Sequence, residues 1–206
     1  MNTPIEFYFD FTSPYAYLAS TRIDQLAAEL DRTVDWRPIL LGPIFKQTGS
    51  TPLVEMPLKG TYALHDLVRT ARIFDIAYRQ PDPFPVPTVK AARAMLWIKQ
   101  ALGSEKASEF AQRTFHAYFV RQKNISELQV VLDVAGSLDI DPARLARAIE
   151  QEDIKNALRS EIADAMARGV FGAPFLFVDG EPFWGFDRYD HIRKWIRIRA
   201  APSPKP

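Results

Sequence analysis

The hydrophobic period changes abruptly near Pro14, and that change limits the folds open to this chain. Ile5, Phe7 and Phe9 alternate with Glu6, Tyr8 and Asp10, the period of two that marks a strand. From position 14 onward Tyr15, Leu18, Ala19, Ile23, Leu26, Ala27 and Leu30 recur at helical spacing, with Arg22 the one polar residue on that face. Thr12 or Ser13 stands where a helix N-cap is favoured, and Pro14 where the first helical residue would be. Residues 33–39 read as a second strand that stops near Pro38. The chain therefore opens as β-α-β.

The rest of the chain extends that frame. Residues 40–60 read as a loop, with Pro43, Pro52, Pro57 and three glycines. A helix is predicted over 61–78, followed by a stiff, extended link carrying Pro81, Pro83, Pro85 and Pro87. Four helices are predicted over 88–102, 104–122, 126–137 and 141–167, the last opened by Asp141 as N-cap and Pro142. Phe175–Val178 reads as a strand, Asp179-Gly180 as a hairpin turn and 183–185 as the return strand. A helix over 187–199 closes the chain, and 202–206 reads as a flexible tail. Without the helical block the order is βαβ–αββα. The expected fold is α/β and thioredoxin-like, with 1–45 and 165–201 forming one domain and 46–164 an all-helical insertion.

Composition narrows the functions. The chain has 206 residues, enough to bury a core, and 47% of them are hydrophobic. The net charge of +1 gives no reason to expect a nucleic-acid partner. There is no cysteine, which excludes disulfides, thiolate metal ligands and protein-based dithiol chemistry. His65, His116 and His191 have no metal-ligand spacing and read as structural. No apolar run approaches the roughly 20 residues of a spanning helix. The N-terminus has no signal-peptide pattern, so a cytoplasmic protein without a membrane role is expected.

Three groups of residues carry a resemblance. At the front stands Phe7-Tyr8-Phe9-Asp10-Phe11-x-Ser13-Pro14-Tyr15-x-Tyr17-Leu18-Ala19. In the middle is Lys59-x-x-Tyr62-x-x-x-Asp66-x-x-Arg69. At the back are Gly169-Val170-Phe171-Gly172-Ala173-Pro174 and Val178-Asp179-Gly180-x-x-Phe183-Trp184-Gly185-x-Asp187-Arg188. In this order the chain resembles the 2-hydroxychromene-2-carboxylate isomerases. These are relatives of the kappa-class glutathione transferases in the DsbA-like branch of the thioredoxin fold. Ser13-Pro14-Tyr15-Ala16 resembles the Cys-x-x-Cys of that fold with both cysteines replaced.

The resemblance implies glutathione as cofactor, with its sulfur beside the Ser13 hydroxyl. A helix N-terminus favours an anion, and a hydrogen bond to a charged group is worth about 1.5–3 kcal/mol, roughly one to two pKa units. Read from local sequence alone, Ser13 is a helix cap, and the two roles are compatible. The resemblance further implies a cis Pro174, with Ala173 offering its backbone to the cysteinyl part of glutathione. Asp187 would hold the γ-glutamyl amine, with Arg188 or the adjacent N–H groups holding its carboxylate. Lys59 would hold a glutathione carboxylate or an acidic substrate. Ser50 stands where the family often has a longer asparagine. Phe11, Tyr15, Phe84, Phe171 and Trp184 are candidate walls for an aromatic substrate, and Asp66–Arg69 reads as an ion pair. The implied activity is a glutathione-dependent cis–trans isomerase of aromatic degradation, acting as a homodimer. The alternatives are a kappa-like glutathione transferase and a binding module without turnover.

Overall fold

The computed structural model describes residues 3–200, so the expected tail at 202–206 lies outside the described residues. Its sheet has four strands: β1 (Ile5–Phe9), β2 (Val34–Pro38), β3 (Phe175–Val178) and β4 (Glu181–Trp184). Their order is β2-β1-β3-β4. β1 runs parallel to β2 and antiparallel to β3, and β3 pairs antiparallel with β4. Asp179 and Gly180 both have positive φ, 53° and 80°, as the expected tight hairpin requires.

Ten helices accompany the sheet in the described residues. They are α1 (Pro14–Ser20), α2 (Ile23–Glu29), α3 (Leu41–Thr48), α4 (Lys59–Ile73), α5 (Val89–Leu102), α6 (Ser104–Phe119), α7 (Leu128–Gly136), α8 (Pro142–Ala148), α9 (Glu152–Ala167) and α10 (Tyr189–Ala200). Short 3-10 turns occur at Leu53–Glu55 and Phe186–Arg188.

The alternation along β1 distributes side chains to two cores. Ile5, Phe7 and Phe9 pack with Trp36, α1, α5 and α6. Tyr8 packs on the other face with Phe175, Phe177 and the α9 residues Leu158, Ile162 and Ala165. Each fully buried aromatic or aliphatic side chain contributes about 1.5–3 kcal/mol. The helical block shares the first core with the sheet: the ring of Phe115 lies 5.4 Å from Phe9 and 5.2 Å from Phe11. The boundary expected at 165 falls within α9, and that at 45 within α3.

Several expected elements differ. The helix expected over 14–30 is two helices. The Ser20 and Thr21 hydroxyls donate to the Tyr17 and Leu18 carbonyls at 2.7 and 2.8 Å, competing with the backbone ladder at the break. The loop expected over 40–60 contains α3. Its opening Leu41 N–H is satisfied by the Asp10 carboxylate at 2.8 Å, a cap from 31 residues away, and Gly49 ends it in the left-handed region. α4 stops before Asp75, which has φ 52°. The helix expected over 141–167 divides into α8 and α9. The link over 81–87 is not simply extended: Asp82–Pro83 and Phe84–Pro85 are cis. No helix among the described residues is long and apolar enough to cross a membrane.

Candidate functional site

Where β1 ends, the chain turns sharply into α1. Ser13 N–H donates to the Asp10 carbonyl at 2.9 Å, and Ser13 becomes the N-cap of α1 with Pro14 next. The Ser13 side chain is almost fully buried and makes two bonds. Its oxygen accepts from the Ala16 N–H at 3.2 Å, and its proton goes to the Ala173 carbonyl at 3.0 Å. This second bond spans 160 residues and joins the α1 turn to the approach to β3. Ala173–Pro174 is cis, and the Pro174 carbonyl accepts from Gly185 N–H at 3.1 Å.

Ser13 and Ala173 line a cleft of about 740 Å³, a size suited to small molecules. Thr12, Ser13 and Tyr15 form one side. Leu41, Pro43 and Phe45 of α3 and a strap over 50–56 form another. Phe84, Val86, Thr88, Phe171, Ala173 and Trp184 complete it. Among the described lining residues only Asp10 and Lys59 carry charge. Lys59 opens α4, which has no side-chain cap. Its N–H donates to the Pro57 carbonyl at 2.7 Å across Leu58, which is held at φ 65° and ψ −51°. That is the rare classic γ-turn. A cation at an uncapped helix N-terminus opposes the dipole, and an anionic ligand there relieves the conflict.

The aromatic wall divides. Tyr15, Phe84, Phe171 and Trp184 line the cleft. Phe11 does not: it is 1% exposed and belongs to the core beside Phe9 and Phe115, because the turn after Asp10 directs it inward. Phe171 and Trp184 meet edge to face at 4.9 Å, and both are partly exposed. The Tyr15 hydroxyl donates to Asp66 at 3.0 Å, and Asp66 also pairs with Arg69. Burial, then the charge of Asp66, pushes the Tyr15 phenol well above its ordinary range, so it remains a neutral wall.

Of the residues expected from sequence, Ser13, Ser50, Lys59 and Ala173 line the one cleft. Pro174 adjoins it through Ala173. Asp187 and Arg188 do not line it. They lie in the 3-10 turn beyond Trp184 and pair with each other at 3.1 Å, Asp187 exposed and Arg188 half-buried. Gly185, at φ 116°, precedes them, and the Asp187 carboxylate folds back over it. α1 has only seven residues, so its dipole is that of a shorter helix than the period suggested. Sequence reasoning missed α3, the strap over 50–56 and the buried Asp10. The one available signal was an aspartate in an otherwise aromatic run. No cluster of metal-ligand type occurs among the described residues.

The model of a DSBA-like thioredoxin domain matches residues 4–197. The chain belongs to this family. It is 27% identical over 201 residues to the 2-hydroxychromene-2-carboxylate isomerase of Sphingobium xenophagum, covering 95% of this chain and 99% of that one. It is 26% identical over 214 residues to glutathione S-transferase kappa 1 of Caenorhabditis elegans, covering 98% and 93%. The solved structure of a 2-hydroxychromene-2-carboxylate isomerase superposes with a TM-score of 0.85 at 22% identity, covering 95% of both chains. This family member therefore has isomerases and glutathione transferases among its relatives.

Proposed function

We propose that this chain is a glutathione-dependent cis–trans isomerase acting on 2-hydroxychromene-2-carboxylate or a related aromatic intermediate. The observation that carries the reading is the pairing of the Ser13 hydroxyl with the Ala173 carbonyl, 3.0 Å apart, in the lining of a mostly apolar cleft. A buried hydroxyl beside a backbone acceptor suits a thiol attached to a peptide: one group faces the sulfur, the other a peptide N–H. The residues present fit glutathione on these grounds. When bound, glutathione supplies a nucleophilic thiol that adds reversibly to a conjugated double bond.

The chain's own residues have separate tasks in this reading. Ser13 has a single proton to donate. A peptide N–H at the Ala173 carbonyl would compete with it and would free the hydroxyl to face the sulfur. Proximity of that proton favours the thiolate. Lys59 holds a carboxylate at the uncapped start of α4. Tyr15, Phe84, Phe171 and Trp184 hold a planar substrate and exclude water. Asp187 and Arg188, in the turn after Trp184, would hold the γ-glutamyl end of the cofactor. Ser50, at the cleft wall, takes the place of a longer side chain at most by one hydrogen bond. The assembly in this reading is a homodimer in the cytoplasm, with a small aromatic molecule as its substrate.

The transferase reading keeps a specific support: the kappa relative is nearly as similar as the isomerase and covers 98% of this chain. Product analysis separates the two. With sub-stoichiometric glutathione, the isomerase reading expects many turnovers per glutathione, up to the equilibrium with the trans isomer, and recovery of free glutathione. A one-to-one conjugate that consumes glutathione supports the transferase instead.

A further inference from the structure

Asp10 ends the β1 segment and is 3% exposed. Its carboxylate accepts from three separate parts of the chain. Oδ1 accepts from the Thr12 N–H at 3.1 Å and from the Thr88 hydroxyl at 2.6 Å, and Oδ2 accepts from the Leu41 N–H at 2.8 Å. Thr12 Oγ1 in turn accepts from the Val86 N–H at 3.1 Å. The backbone carbonyl of Asp10 holds the Ser13 N–H at 2.9 Å. Thr12, Ser13, Leu41, Val86 and Thr88 all line the cleft.

We infer that Asp10 and Thr88 are positioning residues: their buried hydrogen bonds fix the Ser13 turn against the openings of α3 and α5, so that the hydroxyl and the apolar wall keep one spacing. The inference rests on the reading of Ser13 as the group that faces a thiol. A buried carboxylate is costly, and neutral donors offset that cost only when every one is well placed. Burial pushes the Asp10 carboxyl up, while Thr88, Leu41 and Thr12 act against that shift. An apolar residue would fill the same space at lower cost but would hold none of the three segments. The Asx turn made by Oδ1 sets the direction in which residue 13 leaves the strand. The Leu41 bond sets where α3, with Pro43 and Phe45, stands across the cleft. Thr88 is 3% exposed, opens α5 and has its hydroxyl committed to Asp10.

The test is Thr88→Val, which keeps the shape and removes the donor, with Thr88→Ser as the variant that restores it. Ultraviolet absorbance of glutathione thiolate in the complex is followed against pH, together with kcat, KM and thermal stability. Thr88→Val is expected to shift the thiol titration upward by about one unit and to lower kcat about tenfold at pH below both pKa values, with a smaller change in KM for glutathione. Thr88→Ser is expected to return both toward wild type. Asp10→Asn, which turns one donor toward the Leu41 N–H, is an independent second variant expected to shift the same titration in the same direction. A Thr88→Val protein that is less stable but titrates and turns over like wild type makes the hub purely structural and overturns the inference alone. Wild-type protein that binds no glutathione overturns the thiol reading itself, and this inference with it.

Discussion

Removal of the Ser13 hydroxyl separates its two bonds into two measurable losses. As N-cap of α1 it accepts the Ala16 N–H at 3.2 Å, and losing a serine cap costs about 1 kcal/mol of stability. Its donated proton, now on the Ala173 carbonyl at 3.0 Å, is the one proposed to favour a bound thiolate. Losing a hydrogen bond to a charged group costs about 1.5–3 kcal/mol, which raises the thiol pKa by roughly one to two units. Below both pKa values the thiolate fraction then falls about 10- to 100-fold. Ser13→Ala is therefore expected to lose activity by that factor at pH below both pKa values, by less at neutral pH, and to recover it as pH rises above the shifted pKa. Asp141→Ala provides the control. Asp141 caps α8 through the Ala143 and Arg144 N–H groups at 2.8 and 3.3 Å, and it does not line the cleft. Its loss should cost similar stability and leave the thiol titration unchanged. The assay follows the thiolate band of bound glutathione against pH in wild type and both variants. If Ser13→Ala and Asp141→Ala behave alike, the Ser13 hydroxyl is a helix cap and the catalytic argument is refuted.

Three further perturbations reach other parts of the account. Lys59→Met removes the cation at the start of α4 and should raise KM for a carboxylate substrate about tenfold, about 1.4 kcal/mol, with little effect on an uncharged analogue. Gly60→Ala places a Cβ 2.3 Å from the Val54 carbonyl oxygen, so the strap that lines the cleft must lift. Denaturant unfolding should show a loss of about 1–3 kcal/mol, and KM for the second substrate should rise. Glu6 is held at about 2, first by its hydrogen bond from Arg168, with Arg37 adding to it. Because the folded value lies below the ordinary carboxyl value of 4.5, this pair stabilises the protein fully above that value, and the contribution is lost as pH falls from there through about 2. Glu6→Gln should flatten the acid limb of a stability–pH curve and leave the neutral region of its slope unaltered.

Local signals were legible where the physics is local. The alternation of Ile5, Phe7 and Phe9, the Asp179-Gly180 turn and the Ser13-Pro14 junction each carry their structure in adjacent residues. α3 was hidden because its first N–H is satisfied by Asp10, far away in sequence. The break after α1 was hidden because Ser20 and Thr21 are tolerated in helices and divert only when their hydroxyls bond backward. Of the site, the family resemblance singled out Ser13, Lys59 and Ala173, and these line one cleft. The orientation of Asp187 and Arg188 was not legible: a 3-10 turn after Gly185 carries them past Trp184. Phe11 was read as wall for its place beside the Ser13 turn, although it continues the alternation of Ile5, Phe7 and Phe9 and packs in their core. The strap over 50–56 depends on Gly60 letting Val54 lie against α4, a close approach that no pattern of hydrophobicity records.

The central claim is that this cleft binds reduced glutathione and holds its sulfur as thiolate. Isothermal titration of glutathione into the wild-type protein at neutral pH, in two buffers of different ionisation enthalpy, tests both halves together. The account predicts saturable binding at about one glutathione per chain, with a heat that changes between buffers because the thiol proton is released. Absence of saturable heat at millimolar glutathione, or binding whose heat is the same in both buffers, would contradict it.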